Sequence, residues 1–260
     1  MTPSASGRAC KTAFTTVLAL GLAFSPSPQL RAADVKEPFL NVSEGALLTT
    51  LPQWVHVGDD PDAWTLAGQG PGGSGGAIEA ATKGTYHRPL KGGEEITAST
   101  PPRTFRFKIR FTGSEAWETV KIDLLEAGGV NGCGLRFDGG EADGSSDNKV
   151  GLSSGGASWG DVQYAWSNDA HWTTNVWYQV EVTGLALSGG GVTGTVSVFN
   201  AEKPDEKLVD RQPLAAYGSG LQKIDILSIG ASGAARTFQV GAIELVAQKP
   251  SDAAAKDGAK

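Results

Sequence analysis

The apolar residues of this chain recur at every second position in short runs. In the run from Thr104 to Phe111, four apolar side chains alternate with three basic ones. A period of two places the apolar side chains on one face of a strand and the charged ones on the other. The same alternation predicts four more strands, at Val176 to Thr183, Val192 to Phe199, Ile224 to Ile229 and Phe238 to Val246.

Shorter runs of the same kind predict seven weaker strands. Glycine, asparagine, aspartate and serine separate them, as in turns between antiparallel strands, and glycine contributes 36 of the 260 residues. Strands at this spacing predict an all-β fold, with two antiparallel sheets packed face to face as a sandwich. The weaker strands are Gln53 to Val57, Ala63 to Ala67, Ala77 to Ala80, Thr119 to Leu125, Cys133 to Phe137, Val150 to Ser153 and Val162 to Trp166.

Residues 1–33 have the order of a secretory signal peptide. Arg8 and Lys11 precede an apolar run from Thr12 to Phe24, and a Ser-Pro-Ser-Pro breaker and two alanines at 32 and 33 follow it. The apolar run is shorter than the roughly 20 residues that a bilayer span requires. We therefore expect cleavage near these alanines and a secreted or periplasmic protein.

The remainder of the chain predicts one acidic domain. Residues 34–248 show no linker or internal repeat, and 249–260 are too polar and simple to pack, which predicts a disordered tail. The leader holds three of the 22 basic residues and none of the 28 acidic ones, so the net charge after cleavage is −9. Such a protein repels phosphate backbones, which argues against nucleic acid as a partner. Cys133 is the one cysteine left, which excludes an internal disulfide.

Four segments near the C-terminus carry a resemblance to a known superfamily. They run from Asn175 to Val182, Gly194 to Phe199, Ile224 to Gly230 and Val240 to Leu245. In these segments the chain resembles the concanavalin A-like lectin/glucanase superfamily, in its laminin-G-like bacterial branch. The resemblance implies a jelly roll with one concave and one convex sheet, and polysaccharide bound or cleaved on the concave side. A shared fold does not by itself decide the function.

One predicted strand is similar to the catalytic strand of the superfamily's retaining glucanases, which reads Glu-x-Asp-x-x-Glu. Here the strand has Lys121, Asp123 and Glu126 at those positions. Retaining hydrolysis needs a carboxylate nucleophile, and lysine stands in its place. The resemblance thus implies a charged patch that hydrogen-bonds sugar hydroxyls without the usual chemistry. The alternative is that the two acids are solvated strand residues. Arg136, on the next predicted strand, joins the ligand-binding candidates.

A second candidate lies in the aromatic segment from Ser158 to Trp172. Trp159, Trp166, His171 and Trp172 stand there among glycine, serine, asparagine and aspartate. Indole faces stack on sugar C–H groups while neighbouring polar groups bond the hydroxyls. The alternative is that one or two of these rings plug the end of the sandwich. The other strand-associated tryptophans, Trp54, Trp64 and Trp177, are predicted to be core residues.

We predict no cofactor. The acidic runs from Asp138 to Asn148 and from Asp59 to Asp62 offer oxygen ligands for a structural calcium ion, but they lack EF-hand spacing, and solvated turns explain them as well. The three histidines are scattered, so no zinc site is predicted.

Three hypotheses remain open at this level. The first is a non-catalytic, lectin-like domain that recognises a polysaccharide through the concave sheet and the aromatic segment. The second is a glycoside hydrolase or polysaccharide lyase with acids elsewhere on that sheet. The third is a structural or adhesive surface domain that binds protein or matrix. Oligomeric state does not follow from the sequence.

Overall fold

The computed structural model describes ten stretches of the chain. They are residues 33–40, 42–57, 64–73, 75–80, 83–112, 118–129, 131–138, 148–153, 171–230 and 237–248. The predicted tail, the strand predicted at 162–166, Trp159, Trp166 and most of both acidic runs lie outside these residues, as does the leader up to residue 32.

The regular structure of the described residues consists of fourteen β-strands and two short 3-10 turns, at Leu48–Thr50 and Pro71–Gly73. No helix among these residues has the length and apolar character needed to cross a membrane. The strands are β1 (Val35–Glu37), β2 (Val55–Val57), β3 (Thr65–Ala67), β4 (Ala77–Ala80), β5 (Gly84–Pro89), β6 (Arg103–Phe111), β7 (Glu118–Leu125), β8 (Gly132–Asp138), β9 (Lys149–Ser153), β10 (Tyr178–Ser188), β11 (Gly191–Asn200), β12 (Lys207–Tyr217), β13 (Lys223–Gly230) and β14 (Phe238–Ala247).

The strands form two antiparallel sheets, as the alternation predicts. One sheet has eight strands in the order β12-β11-β10-β6-β14-β4-β3, with β1 also paired to β14. The other has six strands in the order β2-β5-β13-β7-β8-β9. The two central strands of this second sheet, β13 and β7, come from distant parts of the chain, so long-range pairing builds its middle.

One continuous apolar core fills the space between the sheets. The inward residues of β6, including Phe105 and Phe107, meet Ile122 of β7 and Ile226 of β13 in it, all almost fully buried. Burial of large aliphatic and aromatic side chains supplies about 1.5–3 kcal/mol each relative to exposure. Cys133 belongs to this core as a free thiol, and its burial raises its pKa, with the charge of Asp123 adding to the effect.

The apolar–polar alternation does not predict three of the strands, β1, β5 and β12, and each has a local reason. β1 is only three residues long, and β5 reads Gly-Thr-Tyr-His-Arg-Pro with one apolar core residue, Tyr86. β12 contains Pro213, which a strand tolerates at an edge because the missing N–H faces away from the ladder. The predicted strands within the described residues are all present, with ends that differ by up to five residues.

A buried ionic network closes one end of the sandwich. Arg88 of β5 donates from Nε to Glu37 of β1 at 2.6 Å and from both terminal nitrogens to Glu94, at 2.8 and 3.0 Å. Arg103, which is fully buried, donates to the carbonyl oxygens of Ala33 at 2.6 Å and Leu245 at 2.7 Å. These bonds tie the first described residues to both sheets.

Candidate functional site

The outward side of the six-stranded sheet carries a cluster of polar side chains at its centre. Because β7 alternates, Val120, Ile122 and Leu124 enter the core while Lys121 and Asp123 point away from it. Residues paired across antiparallel strands point to the same side, so each strand adds members in register. We call this surface the polar face; it consists of Thr85, His87, Lys121, Asp123, Arg136, Lys223 and Asp225.

Two rows of paired residues cross the polar face. In the first, His87 lies opposite Asp225, which lies opposite Asp123, which lies opposite Gly134. Directly opposite residues have Cβ atoms about 4.5–5.5 Å apart, so these side chains are neighbours. The second row, two residues along each strand, contains Thr85, Leu227, Lys121 and Arg136.

Three charged residues of the polar face are nearly covered although they point away from the core. Lys121 and Asp123 are each 5% exposed, and Asp225 is 9% exposed. By contrast, Arg106, Lys108 and Arg110 on the outward side of the eight-stranded sheet are only half-buried. Charged groups are rarely this buried without a specific role. Unlike the equally buried ionic network of Arg88 and Arg103, this cluster lies on the outward side of a sheet, which makes the polar face the candidate site.

Asp123 occupies a space that a glycine leaves open. A Cβ built on Gly134 would lie 2.0 Å from Oδ1 of Asp123, so the carboxylate extends over the glycine. The other carboxylate oxygen, Oδ2, lies 4.0 Å from Nζ of Lys121. Glycine at this position of β8 is therefore a condition for the observed place of the Asp123 side chain.

The Asp225 carboxyl stands in a different environment. No described residue donates a hydrogen bond to it or pairs with it within 4.0 Å. Burial raises the pKa of Asp225, and the charges of Lys223 and Lys121 lower it by less. Its neighbour His87 has the opposite shift, because burial lowers the pKa of the imidazole and the charge of Lys223 lowers it further. Nδ1 of His87 is buried and has no hydrogen-bond partner among the described residues.

Arg136 lies on the polar face beside Lys121, on the adjacent strand β8. Its Nε donates to Oδ1 of Asp138 at 2.5 Å, and the hydroxyl of Thr119 donates to the same oxygen at 2.6 Å. The structure thus brings together three of the sequence-predicted binding residues: Lys121, Asp123 and Arg136.

Glu126 lies beyond the end of β7 and away from this cluster. Its carboxylate accepts bonds from the backbone N–H of Ser219 at 2.5 Å, the Ser219 hydroxyl at 3.0 Å and the Asn131 amide at 3.1 Å. The Ser219 N–H and the Asn131 amide lower the pKa of Glu126, against a smaller effect of burial. These bonds give Glu126 a structural role in joining two loops.

The two described members of the aromatic segment lie apart from the polar face. Trp172 is 2% exposed, and its ring stacks on Phe111 with centroids 4.0 Å apart. Its Nε1 donates to the carbonyl of Asp138 at 3.1 Å. The Trp172 ring therefore packs in the core, as the alternative interpretation of the aromatic segment predicted. Neither of its faces is available to a ligand. His171 is exposed, and its backbone forms an isolated antiparallel β-bridge with Lys149.

The remaining tryptophan predictions agree with the structure. Trp54 and Trp64 are buried in the main core. Trp177 is buried too, but on the outward side of the eight-stranded sheet, where it packs on Ala67 and Ala77. The guanidinium of Arg110 lies 4.9 Å from its ring centroid. No three histidine, cysteine or acidic side chains of the described residues converge as a metal site would require.

Sequence reasoning missed His87 and Asp225. His87 was missed because β5 itself lacks a clear alternation. Asp225 stands between Ile224 and Ile226 in a predicted strand, so its outward direction was readable. Its proximity to Asp123 was not readable, because it depends on the pairing of β13 with β7.

The sandwich is similar in fold to solved structures of other proteins. One is a GH43 glycoside hydrolase engineered to display endo-xylanase and exo-arabinofuranosidase activity, which matches with a TM-score of 0.50 and 11% identity. Another is the alginate lyase Aly36B, with a TM-score of 0.51 and 9% identity. The chain has the concanavalin A-like jelly-roll fold. Both matches cover 83% of this chain. The matched part is 40% of the hydrolase and 97% of the lyase.

The lectin UEA-II, solved with galactose, matches with a TM-score of 0.42 and 10% identity, over 82% of this chain and 98% of the lectin. No protein-family model matches the sequence, and no curated protein matches it significantly. The comparisons therefore show the concanavalin A-like fold and leave the function to the site.

Replacing Asp225 by asparagine should stabilise this concanavalin A-like sandwich at neutral pH. Because the pKa of Asp225 is higher in the folded protein than its ordinary value of 3.8, the free energy of unfolding falls as the pH rises from that value through the folded pKa. Asparagine keeps the shape and removes the charge. We expect a melting temperature about 2–4 °C higher at pH 7, which corresponds to about 1 kcal/mol.

Thermal denaturation of the wild type and Asp225→Asn at neutral and strongly acidic pH checks this expectation. The difference should vanish at acidic pH, where the carboxyl is protonated in both states. Asp210→Asn, on the exposed edge strand β12, is the control and should not change the melting temperature. A lower melting temperature of Asp225→Asn at neutral pH would show that the carboxylate stabilises the fold.

Proposed function

We propose that this protein binds a glycan across the polar face. The observation that carries the proposal is the row of His87, Asp225 and Asp123, three titratable side chains that point outward from adjacent central strands. Polar groups gathered on a rigid sheet supply the directed hydrogen bonds that sugar hydroxyls need.

The composition of the polar face suits a polyhydroxylated ligand. Lysine and arginine donate hydrogen bonds, and carboxylates accept them. A neutral imidazole donates from one ring nitrogen and accepts at the other. At the edge strand β2, Val55 and Val57 are 42% and 45% exposed, and Val55 pairs with His87. Apolar side chains beside polar ones match a sugar ring, which has C–H groups on its faces and hydroxyls at its rim.

Two structural neighbours with the concanavalin A-like fold support the class of ligand. They are a glycoside hydrolase and an alginate lyase, both of which act on glycans. The lysine at position 121 also means that the single-strand glucanase motif lacks its nucleophile. Glycan binding is therefore the function that the polar face supports without further assumptions, and both the lectin-like and the hydrolase hypotheses require it. Export by the predicted leader would place the protein where polysaccharides occur.

Replacing Lys121 by methionine should weaken glycan binding about tenfold. Methionine keeps most of the alkyl stem and removes the ammonium group, and a hydrogen bond to a charged group contributes about 1.5–3 kcal/mol when its partner is buried. Affinity electrophoresis in gels that contain laminarin, xylan, galactan or alginate measures retardation of the native protein. The retarded wild type and the less retarded Lys121→Met variant would be compared in the same gel.

Lys108→Met is the matched control. Lys108 lies on β6, at the centre of the other sheet, and its side chain also points outward. This variant should be retarded like the wild type. Equal retardation of both variants would place the glycan elsewhere, for example on the segment that contains Trp159 and Trp166. If no polysaccharide retards the wild type and a pull-down from cell envelopes enriches a protein, the adhesive alternative is correct.

A further inference from the structure

Two carboxyl groups lie side by side at the centre of the polar face. Asp123 of β7 and Asp225 of β13 are directly opposite in the register, about 100 positions apart in the chain. Both are more than nine-tenths buried, and both side chains point away from the core. Inverting glycoside hydrolases hold two carboxyl groups about 6.5–9.5 Å apart so that a water molecule fits between them. The Asp123 carboxylate extends over Gly134, on the side away from Asp225, which leaves space between the two groups.

The surroundings of the two carboxyl groups favour different protonation states. Oδ2 of Asp123 lies 4.0 Å from the Lys121 ammonium, which stabilises the negative charge of the carboxylate. Asp225 has no described partner within hydrogen-bond or ion-pair distance, and burial raises its pKa. Two neighbouring acids whose environments separate their proton affinities have the properties of an acid–base pair.

His87 strengthens this separation. It lies on the other side of Asp225 in the same row, and its pKa is lowered by burial and by Lys223, so the imidazole is neutral at pH 7. A protonated histidine there would hold Asp225 in its charged form, and a neutral one does not. Nδ1 of His87 is also buried without a partner among the described residues, which leaves a second unpaired polar atom beside Asp225.

We propose that Asp225 and Asp123 are the general acid and the general base of a hydrolase that cleaves a glycosidic bond of the bound glycan. This inference rests on the proposed function, since the glycan must first occupy the polar face. It differs from the single-strand glucanase motif, because the two acids come from different strands. Lysine at position 121 is then no obstacle and serves as the charge partner of the base.

The reaction balances with water as the second substrate. Asp225 gives its proton to the glycosidic oxygen, and the bond between that oxygen and the anomeric carbon breaks with its electron pair left on the oxygen. Asp123 takes a proton from a water molecule, whose oxygen forms the new bond to the anomeric carbon. One water is consumed, two sugar hydroxyls are formed, and exchange with solvent returns the proton from Asp123 to Asp225.

The test measures binding and cleavage of the same polysaccharides in parallel. Laminarin, xylan, galactan and alginate are incubated with the protein, and new reducing ends are counted for each glycan that retards it in a gel. The wild type should release reducing ends. Asp225→Asn and Asp123→Asn should each reduce the rate at saturating polysaccharide at least about 100-fold, the usual contribution of a general acid or base, which is far more than either variant reduces gel retardation. Asp210→Asn, on an edge strand of the other sheet, should match the wild type.

A pH profile separates catalysis from a merely structural role. The wild-type rate should fall on the alkaline side, where Asp225 loses its proton. A glycan that is bound but not cleaved would overturn the acid–base assignment and leave the proposed function in place. Ultraviolet-absorbing unsaturated ends would overturn it as well, in favour of elimination. Absence of both binding and cleavage would refute the proposed function and this inference together.

Discussion

Replacing Arg88 by methionine should lower the free energy of unfolding by about 3–5 kcal/mol at neutral pH. Arg88 is 8% exposed and pairs with two carboxylates, Glu37 at 2.6 Å and Glu94 at 2.8 Å. Methionine fills much of the same volume but leaves both negative charges without their partner. Removal of one member of a buried ion pair costs far more than the pair itself contributes, because the remaining charge stays desolvated.

The loss of stability caused by Arg88→Met should become smaller as the pH falls. Burial raises the pKa of Glu94, but the hydrogen bonds from Arg88 and from the Lys91 N–H, with the charges of Arg88 and Arg103, lower it more, so it lies below its ordinary value of 4.5. A carboxyl with a lowered pKa stabilises the fold above that ordinary value, and the contribution is lost as the pH falls through the folded pKa. The difference between wild type and variant should therefore narrow at acidic pH.

Chemical denaturation at neutral and acidic pH measures this difference. Lys203→Met is the control, since Lys203 forms an exposed ion pair with Glu206 at 2.9 Å and such pairs contribute little. It should leave the denaturation midpoint unchanged. An Arg88→Met variant as stable as the wild type would mean that the end of the sandwich holds together without its ionic network.

Replacing Trp172 by alanine should also lower the free energy of unfolding by about 3–5 kcal/mol. The change removes a 2% exposed ring, its stacking on Phe111 and the bond from Nε1 to the carbonyl of Asp138. The cavity left behind adds to the lost burial, and the Asp138 carbonyl loses its donor. Trp172→Phe keeps a ring on Phe111 and should lose less than half as much.

The same two variants decide between the core and ligand roles of Trp172. Urea denaturation gives the stability, and gel retardation by a bound polysaccharide gives the affinity of the folded protein. A core residue changes the first measurement and not the second. If Trp172→Ala were as stable as the wild type but no longer retarded, the tryptophan would act as a sugar platform.

Function and stability make opposite demands on Asp225. Its buried, unpartnered carboxyl should cost the fold stability at neutral pH, and the same isolation lets it hold a proton beside a charged neighbour. Active sites commonly retain such destabilising groups because the chemistry requires them. Asp225→Asn is therefore expected to melt later and to cleave less, a combination that a purely structural residue would not produce.

Several elements of the fold could be predicted because their signal is local. Alternation alone located β6 within one residue at its start, and glycine and polar turns marked the breaks between strands. The prediction became inaccurate where packing overrides the pattern. β10 begins at Tyr178 and continues to Ser188, five residues past its predicted end, because β11 folds back on it and pairs with those residues.

The candidate site was only half predictable for a related reason. A strand repeats every two residues, so its sequence alone showed that Lys121 and Asp123 share a face. Glu126 fell outside this face because β7 ends at Leu125, and the loop containing Ser219 captures the carboxylate. Trp172 does not belong to the polar face because its ring packs in the core against Phe111.

The sequence by itself determined the all-β character, the two-layered packing and the outward direction of Lys121, Asp123 and Asp225, since each depends on neighbours one or two positions away. Only the tertiary structure decided that β13 lies between β5 and β7 and so aligned His87, Asp225 and Asp123 in one row. The order of strands in a sheet is selected by the packing of whole layers and by backbone pairing, which is nearly the same for any two strands. No short stretch of residues therefore contains that choice.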